Sequence, residues 1–179
     1  MEFYKVIKTR RSIRSYSEKD IPPDVIKRIL DAARIAPSGN NRQPWSFIVV
    51  KDHERKKKIA EASYGQGFIT EAPVVVVCCA QRYPNSYEPW KDNCYLADAI
   101  IAIDHLVLAA RNEGLGTCWI GAIHDKQVKE LLNVPDEVDV VMVIPIGYPA
   151  SESAFTDVYY RKSLEEVCFS EEYGKKETF

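Results

Sequence analysis

The sequence lacks most of the marks that would assign it to a membrane, a nucleic acid or a metal. No apolar run approaches the length of a membrane span, and the first residues carry no signal-like apolar core, so a cytoplasmic location is the expectation. Positive and negative residues are interspersed around a formal charge of -2, and no basic stripe argues for nucleic acid or an anionic membrane surface. There is no Cys-x-x-Cys. The five cysteines, Cys78, Cys79, Cys94, Cys118 and Cys168, form an odd set that suits a reducing compartment better than a disulfide framework. His53, His105 and His124 are far apart and fit no ligand-spaced motif, so no metal site is expected. No Gly-x-Gly-x-x-Gly opens a strand–helix unit, which weakens a dinucleotide-fold reading. No repeat, low-complexity segment or linker divides the 179 residues. With 46% apolar and aromatic residues, one domain over residues 1–179 is expected.

What is present centres on Ala36–Trp45, Ala-Pro-Ser-Gly-Asn-Asn-Arg-Gln-Pro-Trp. An amphipathic helix from Asp24 to Arg34 precedes it and an apolar strand from Phe47 to Val50 follows. Pro37 stops the helix, and Pro44 holds the entry to the strand extended. Ser38, Asn40, Asn41 and Gln43 donate and accept hydrogen bonds without a mobile charge. Such a loop suits a flat, polar-edged heterocycle. It equally suits a plain turn whose Asn and Ser satisfy their own backbone.

Near the start, Arg10, Ser12 and Arg14 alternate with Arg11, Ile13 and Ser15. In an extended segment the first three point one way, and two guanidiniums with a hydroxyl form a good anion site. A solvated basic turn is the plainer alternative.

Helical spacing is expected over Glu2–Thr9, His53–Ala62, Tyr95–Glu113 and Lys126–Leu132, and strands over Ala72–Ala80, Thr117–Ile123 and Val138–Ile146. The Ala72–Ala80 run is apolar throughout, as for a strand buried on both faces. Cys78 and Cys79 fall inside it as small hydrophobes. The run Arg55-Lys56-Lys57-Lys58 is expected to face water. The polar and aromatic segment Gln81–Asn93 is either an ordered loop or a lid. Tyr95–Glu113 is apolar round most of its circumference, which in a small domain implies a partner subunit. His105 within it is expected to be a hydrogen-bonded structural residue. Gly114 and Gly116 read as ordinary stop and turn residues, and Gly121 would let something flat approach.

Pro-Ser-x-x-Asn-x-Gln-Pro-Trp at Pro37–Trp45 resembles the signature loop of the FMN-dependent nitroreductase family. Arg10-Arg11-Ser12-Ile13-Arg14-Ser15-Tyr16 resembles the opening motif of that family. Gly114-Leu115-Gly116-Thr117, Trp119-Ile120-Gly121 and Arg161–Val167 resemble later blocks in the same order. The resemblance implies an α+β fold: a mainly antiparallel sheet of about five strands, flanked by helices, in an intertwined homodimer. It implies bound FMN, with Arg10 and Ser12 at the phosphate, Arg11 either sharing that role or facing solvent, and Arg161 and Lys162 as a second phosphate contact. Arg14 would meet the ribityl chain and pyrimidine edge and offset the charge of the reduced ring. Pro37, Ser38, Gly39, Asn41 and Gln43 would line the flavin, with Gln66 as a further contact. A backbone N–H at Ile120 or Gly121 would meet flavin N5.

The implied activity is that of a flavin oxidoreductase. Hydride would pass from NADH or NADPH, through FMN, to a small acceptor such as a nitroaromatic, quinone or enone, with no side-chain acid or base required. Two other readings share the motifs: a specialised flavin enzyme of reductive-dehalogenase or flavin-degrading type, and a non-enzymatic FMN carrier. The short Gln81–Asn93 insert disfavours the specialised enzyme.

Overall fold

In the computed structural model, which describes residues 1–84, 89, 91–156 and 160–176, the sheet is organised around its most apolar strand. The run Val-Val-Val-Val-Cys-Cys-Ala is β-branched at four successive positions and has no polar face, so it is stable only where both faces are covered. It forms β2 (Val74–Gln81), in which all but the last residue are buried. β1 (Trp45–Val50) and β4 (Val138–Gly147) pair with it on either side, both antiparallel, with Val50 opposite Val75 and Val76 opposite Ile144. β3 (Gly116–Thr117) adds to the outer edge of β4, giving the order β1-β2-β4-β3. Four strands are therefore present among the described residues, and every pairing in the sheet is antiparallel.

Alternation along β2 builds two cores. Val74, Val76 and Cys78 face α2 (Pro23–Arg34) and α5 (Cys94–Asn112), meeting Ile29, Ile103 and Leu106. Val75, Val77 and Cys79 face α3 (His53–Ala62), α4 (Phe68–Glu71) and α6 (Asp125–Leu132), meeting Ile59, Ile69 and Val128. Helix starts and stops lie within a residue of the expected bounds. Pro23 begins α2, Asp52 caps α3 by accepting from the Arg55 N–H, and Gly114 at φ +81° turns the chain after α5. His105 takes its structural role, with Nδ1 3.3 Å from the Ala32 carbonyl oxygen. No helix among the described residues is long and apolar enough to cross a membrane.

Three expectations change. The strand foreseen over Thr117–Ile123 shrinks to Gly116–Thr117 and one isolated bridge, Ile120 to Val143. The register is nevertheless continuous: Gly116–Gly147, Thr117–Ile146 and Ile120–Val143 keep one alignment, which places Cys118 opposite Pro145. Pro145 has no N–H to give, and its carbonyl oxygen lies 3.3 Å from the buried Tyr16 hydroxyl. One proline thus interrupts the ladder. Lys56 does not face water. It is 6% exposed, and Nζ donates to the Ala72 carbonyl at 2.7 Å, tying α3 to the end of α4. Gly116 is no ordinary turn residue, because a Cβ there would collide with the Ile13 side chain. The proposed lid, Gln81–Asn93, lies partly outside the described residues.

Candidate functional site

The basic segment follows α1 (Phe3–Thr9) and runs as an irregular extension along the outer edge of β3. The Ile13 N–H donates to the Thr117 carbonyl at 2.9 Å, and Ser12 forms a parallel bridge with Thr117. Ile13 is buried against Gly116. The Tyr16 hydroxyl donates to the Ile13 carbonyl at 2.8 Å, and the Ser17 N–H to the Tyr148 carbonyl at 2.9 Å. These bonds turn Ile13 and Tyr16 inward, while Ser12, Arg14 and Ser15 are exposed, so the expected alternation holds over Ser12–Arg14 and breaks at Ser15, which was expected on the side of Ile13. A cleft of about 500 Å3 opens there, lined by Ser12, Arg14, Ser15, Ala150 and Ser151.

Arg10 and Arg11 are half-buried, and one guanidinium nitrogen of each, Arg10 Nη1 and Arg11 Nη2, is buried with no partner among the described residues. Arg11 donates its other terminal nitrogen to the Arg10 carbonyl at 2.5 Å. Burial, followed by the neighbouring charge of Arg11, pushes the Arg10 pKa down, and Arg161 adds to that push while Asp104 opposes it. The charge of Arg161 is thus felt at Arg10, although about 150 residues separate them. Arg161 and Lys162 are both exposed. Buried donors on crowded like charges call for an anion, and a phosphate is the group whose geometry guanidinium matches.

The Pro37–Gln43 loop is a strained polar turn. Gly39–Asn41 is a single 3-10 turn, and Asn40, Asn41 and Gln43 all have positive φ, at 51°, 55° and 50°. Side chains rarely adopt this conformation; Asn tolerates it best, and Gln less well. The turn is held from within and without. Ser38 Oγ accepts from the Gln43 N–H at 2.9 Å, and the Gln43 side-chain amide donates to the Asn41 carbonyl at 3.2 Å. From outside, Asp98 Oδ1 accepts from the Gly39 N–H at 3.0 Å. Ser38 and Gln43 therefore spend part of their bonding on the turn itself, while Asn41 presents an exposed side chain.

The other candidate residues differ in what their polar groups already bond. The Ile120 N–H donates to the Val143 carbonyl at 3.1 Å, so it is committed to the sheet and is not free to meet a ligand. Gly121 is exposed, and a Cβ there would stand 3.3 Å from Met142 Sδ. Gln66 donates its side-chain amide to the Ser63 carbonyl at 2.9 Å, which turns that nitrogen toward its own loop.

These residues form two groups on one chain. The basic segment lies beside β3, and the polar turn leads into β1, at the opposite edge of the sheet. Three strand spacings separate the edges, about 14 Å. Among the described residues no hydrogen bond or ion pair joins Arg10–Arg14 to Pro37–Gln43. Sequence reasoning missed Asp98 and Tyr83, which hold the turn. An acidic residue set among Tyr95, Ala99 and Ala102 on the buried side of the helix was the available signal for Asp98.

The family model for the Nitroreductase family matches residues 7–81 and 63–148. A protein of Archaeoglobus fulgidus, provisionally named NADH dehydrogenase/NAD(P)H nitroreductase, is 40% identical over 162 residues, covering 86% of this chain and 89% of its own. The FMN reductase [NAD(P)H] of Bacillus subtilis strain 168 is 36% identical over 169 residues, covering 86% and 68%. The crystal structure of a nitroreductase family protein from Clostridium novyi NT superposes with a TM-score of 0.79 at 35% identity, over 98% of this chain and 97% of the other. By motif order, by antiparallel sheet and by these matches, the chain belongs to the Nitroreductase family.

Proposed function

We propose that this chain is a single flavin-binding domain, acts as an FMN-dependent NAD(P)H oxidoreductase, and reduces a small acceptor of the nitroaromatic, quinone or enone class. The observation that carries the reading is the pair of buried guanidinium nitrogens at Arg10 and Arg11 that have no partner among the described residues, on a segment that also presents Ser12 and Arg14. A phosphate-bearing ligand supplies what those donors lack, and the family's FMN carries one. Bound FMN would supply two-electron chemistry, accepting hydride from NADH or NADPH and returning it to the acceptor.

The protein's own work is positioning and electrostatics. Arg10, Arg11 and Ser12 would hold the phosphate, joined by Arg161 and Lys162. Arg14 is exposed beside them and would face the ring, where a fixed cation stabilises negative charge that develops on reduction. Pro37, Ser38, Gly39, Asn41 and Gln43 would border the ring with neutral groups, and Gln66 with the carbonyl oxygen of its amide. Gly121 would present the backbone that Ile120 cannot.

A homodimer with FMN in its interface is part of the same reading. The two residue groups sit at opposite sheet edges, so facing edges of two copies would bring the basic segment of one to the turn of the other. Exposed apolar residues support the pairing: Phe3, Tyr4 and Ile7 on α1, Ile100 and Ile101 on α5, Leu164 and Val167 on α7 (Leu164–Val167). Phe179, which would extend the apolar tail, lies outside the described residues.

Anaerobic titration with NADH, then NADPH, tests the activity. The purified protein should be yellow, and one of the two should bleach its visible flavin band, with colour returning on addition of 1,4-benzoquinone. Protein that neither carries nor takes up FMN overturns the reading. A yellow protein that neither nucleotide bleaches is a carrier.

A further inference from the structure

We propose that Asp98 is the positioning residue of the Ser38–Gln43 turn and that Tyr83 locks it in place, so that the turn is set by a strut running from the sheet. This rests on the reading of that turn as part of the FMN site. Asp98 lies on α5 and is only 5% exposed. Its two oxygens take two different donors. Oδ1 accepts from the Gly39 N–H at 3.0 Å, and Oδ2 accepts from the Tyr83 hydroxyl. A buried carboxylate is stable only if such donors satisfy it, and bonds to a charged acceptor are stronger than neutral ones.

Tyr83 is itself held. Cys94 Sγ lies 3.3 Å from its hydroxyl, Arg42 of the turn stacks over its ring at 4.6 Å, and Tyr95 meets the ring edge-on at 6.3 Å. Burial and the bond to Asp98 push the phenol pKa up, so the hydroxyl remains a donor across the ordinary pH range. One residue earlier, Arg82 donates to both oxygens of Asp139 on β4, and the Tyr95 hydroxyl donates to the same carboxylate at 2.6 Å. A continuous path therefore leads from β4 through Asp139, Arg82 and Tyr95 to Tyr83, then Asp98, then Gly39. It ends on a turn with three non-glycine residues at positive φ, a conformation that persists only when its surroundings over-determine it.

The test is hydrogen exchange of the FMN-free protein, read by peptide, together with FMN titration. Asp98→Ala should speed exchange of the Gly39–Gln43 amides by about tenfold or more, the scale of one lost charge-assisted bond, and weaken FMN by a similar factor. Asp98→Asn keeps an oxygen for the Gly39 N–H and offers the Tyr83 oxygen an amide N–H. It should stay within about threefold of the parent in both measurements. Exchange across Val74–Gln81 should not change in either variant. The proposal is overturned if Asp98→Ala leaves the turn at parental rates, if it speeds β2 equally, or if Asp98→Asn is as damaging as Asp98→Ala. Should Asp98→Ala fail to fold, Tyr83→Phe decides: faster exchange at Gly39–Gln43 alone supports the strut, and parental exchange sinks it. Failure of the parent to bind FMN would end the functional reading, while the exchange measurement would still decide the strut.

Discussion

Ile13 rests on Gly116 so closely that a single methyl group at Gly116 would displace it. The contact joins the basic segment to β3, and through it Arg10, Ser12 and Arg14 acquire their places. Gly116→Ala should therefore cost about 1–3 kcal/mol of stability through overpacking. FMN affinity should fall as well, because the displaced backbone carries Ser12 and Arg14. Thermal denaturation without FMN and a binding titration separate the two effects. An unchanged affinity would show that Ile13 does not set the anion site.

Arg10→Ala should act with opposite signs in the two states of the protein. With FMN, loss of a charge-assisted phosphate contact of about 1.5–3 kcal/mol weakens binding roughly ten- to a hundredfold. Without FMN, the same change removes a desolvated cation that Arg11 and Arg161 repel, so the melting temperature should not fall. A variant that binds FMN normally, or that melts several degrees lower when FMN-free, contradicts this.

The Asp139 cluster predicts an acid-sensitive component of stability. Arg82 foremost, with Tyr95 and Lys129, holds the Asp139 pKa down to about 2. A carboxylate whose folded pKa is depressed contributes fully above its unfolded pKa and loses that contribution as pH falls toward the folded value. From an unfolded value near 3.9 the contribution is roughly 2 kcal/mol. Asp139→Asn should therefore lower the urea midpoint at pH 6, and the gap from the parent should close between about pH 4 and pH 2. A gap that persists unchanged at pH 2 assigns the loss to packing.

The shared site predicts complementation. Subunits carrying Arg10→Ala and subunits carrying Asn41→Ala, unfolded and refolded together, should regain part of the FMN-dependent activity. A heterodimer then holds one site with both defects and one with neither. No recovery would place each site within one chain. A flavin-loaded monomer by light scattering would remove the dimer altogether.

Much of the fold was legible because it rests on local rules. The apolar run at Val74–Ala80 has only one environment that suits it, and Pro22, Pro23, Pro37 and Gly114 mark helix ends by backbone geometry alone. The interruption of β3 was not legible, because it arises from Pro145, which is distant in sequence and lies opposite Cys118 only once the strands are aligned. The burial of Lys56 was hidden by its neighbours, since a run of four cations does not say which one meets the end of α4. In the candidate site, residue types betrayed the arginines and the polar turn. The commitment of the Ile120 N–H to Val143 and the grip of Asp98 on Gly39 are pairings between distant segments, and no local pattern records them.

The basic segment has one more consequence, for solubility. An open sheet edge is a template for association with other chains, and β3 is too short to shield the end of β4. Residues Ser12–Ser17 cover that edge with a bridge at Thr117, a bridge at Pro149 and three arginines close by. The stretch that offers itself to an anion is thus also the guard of the sheet. Trimming the chain before Ile21 would uncover β4, and insoluble protein would be the first sign, ahead of any lost colour.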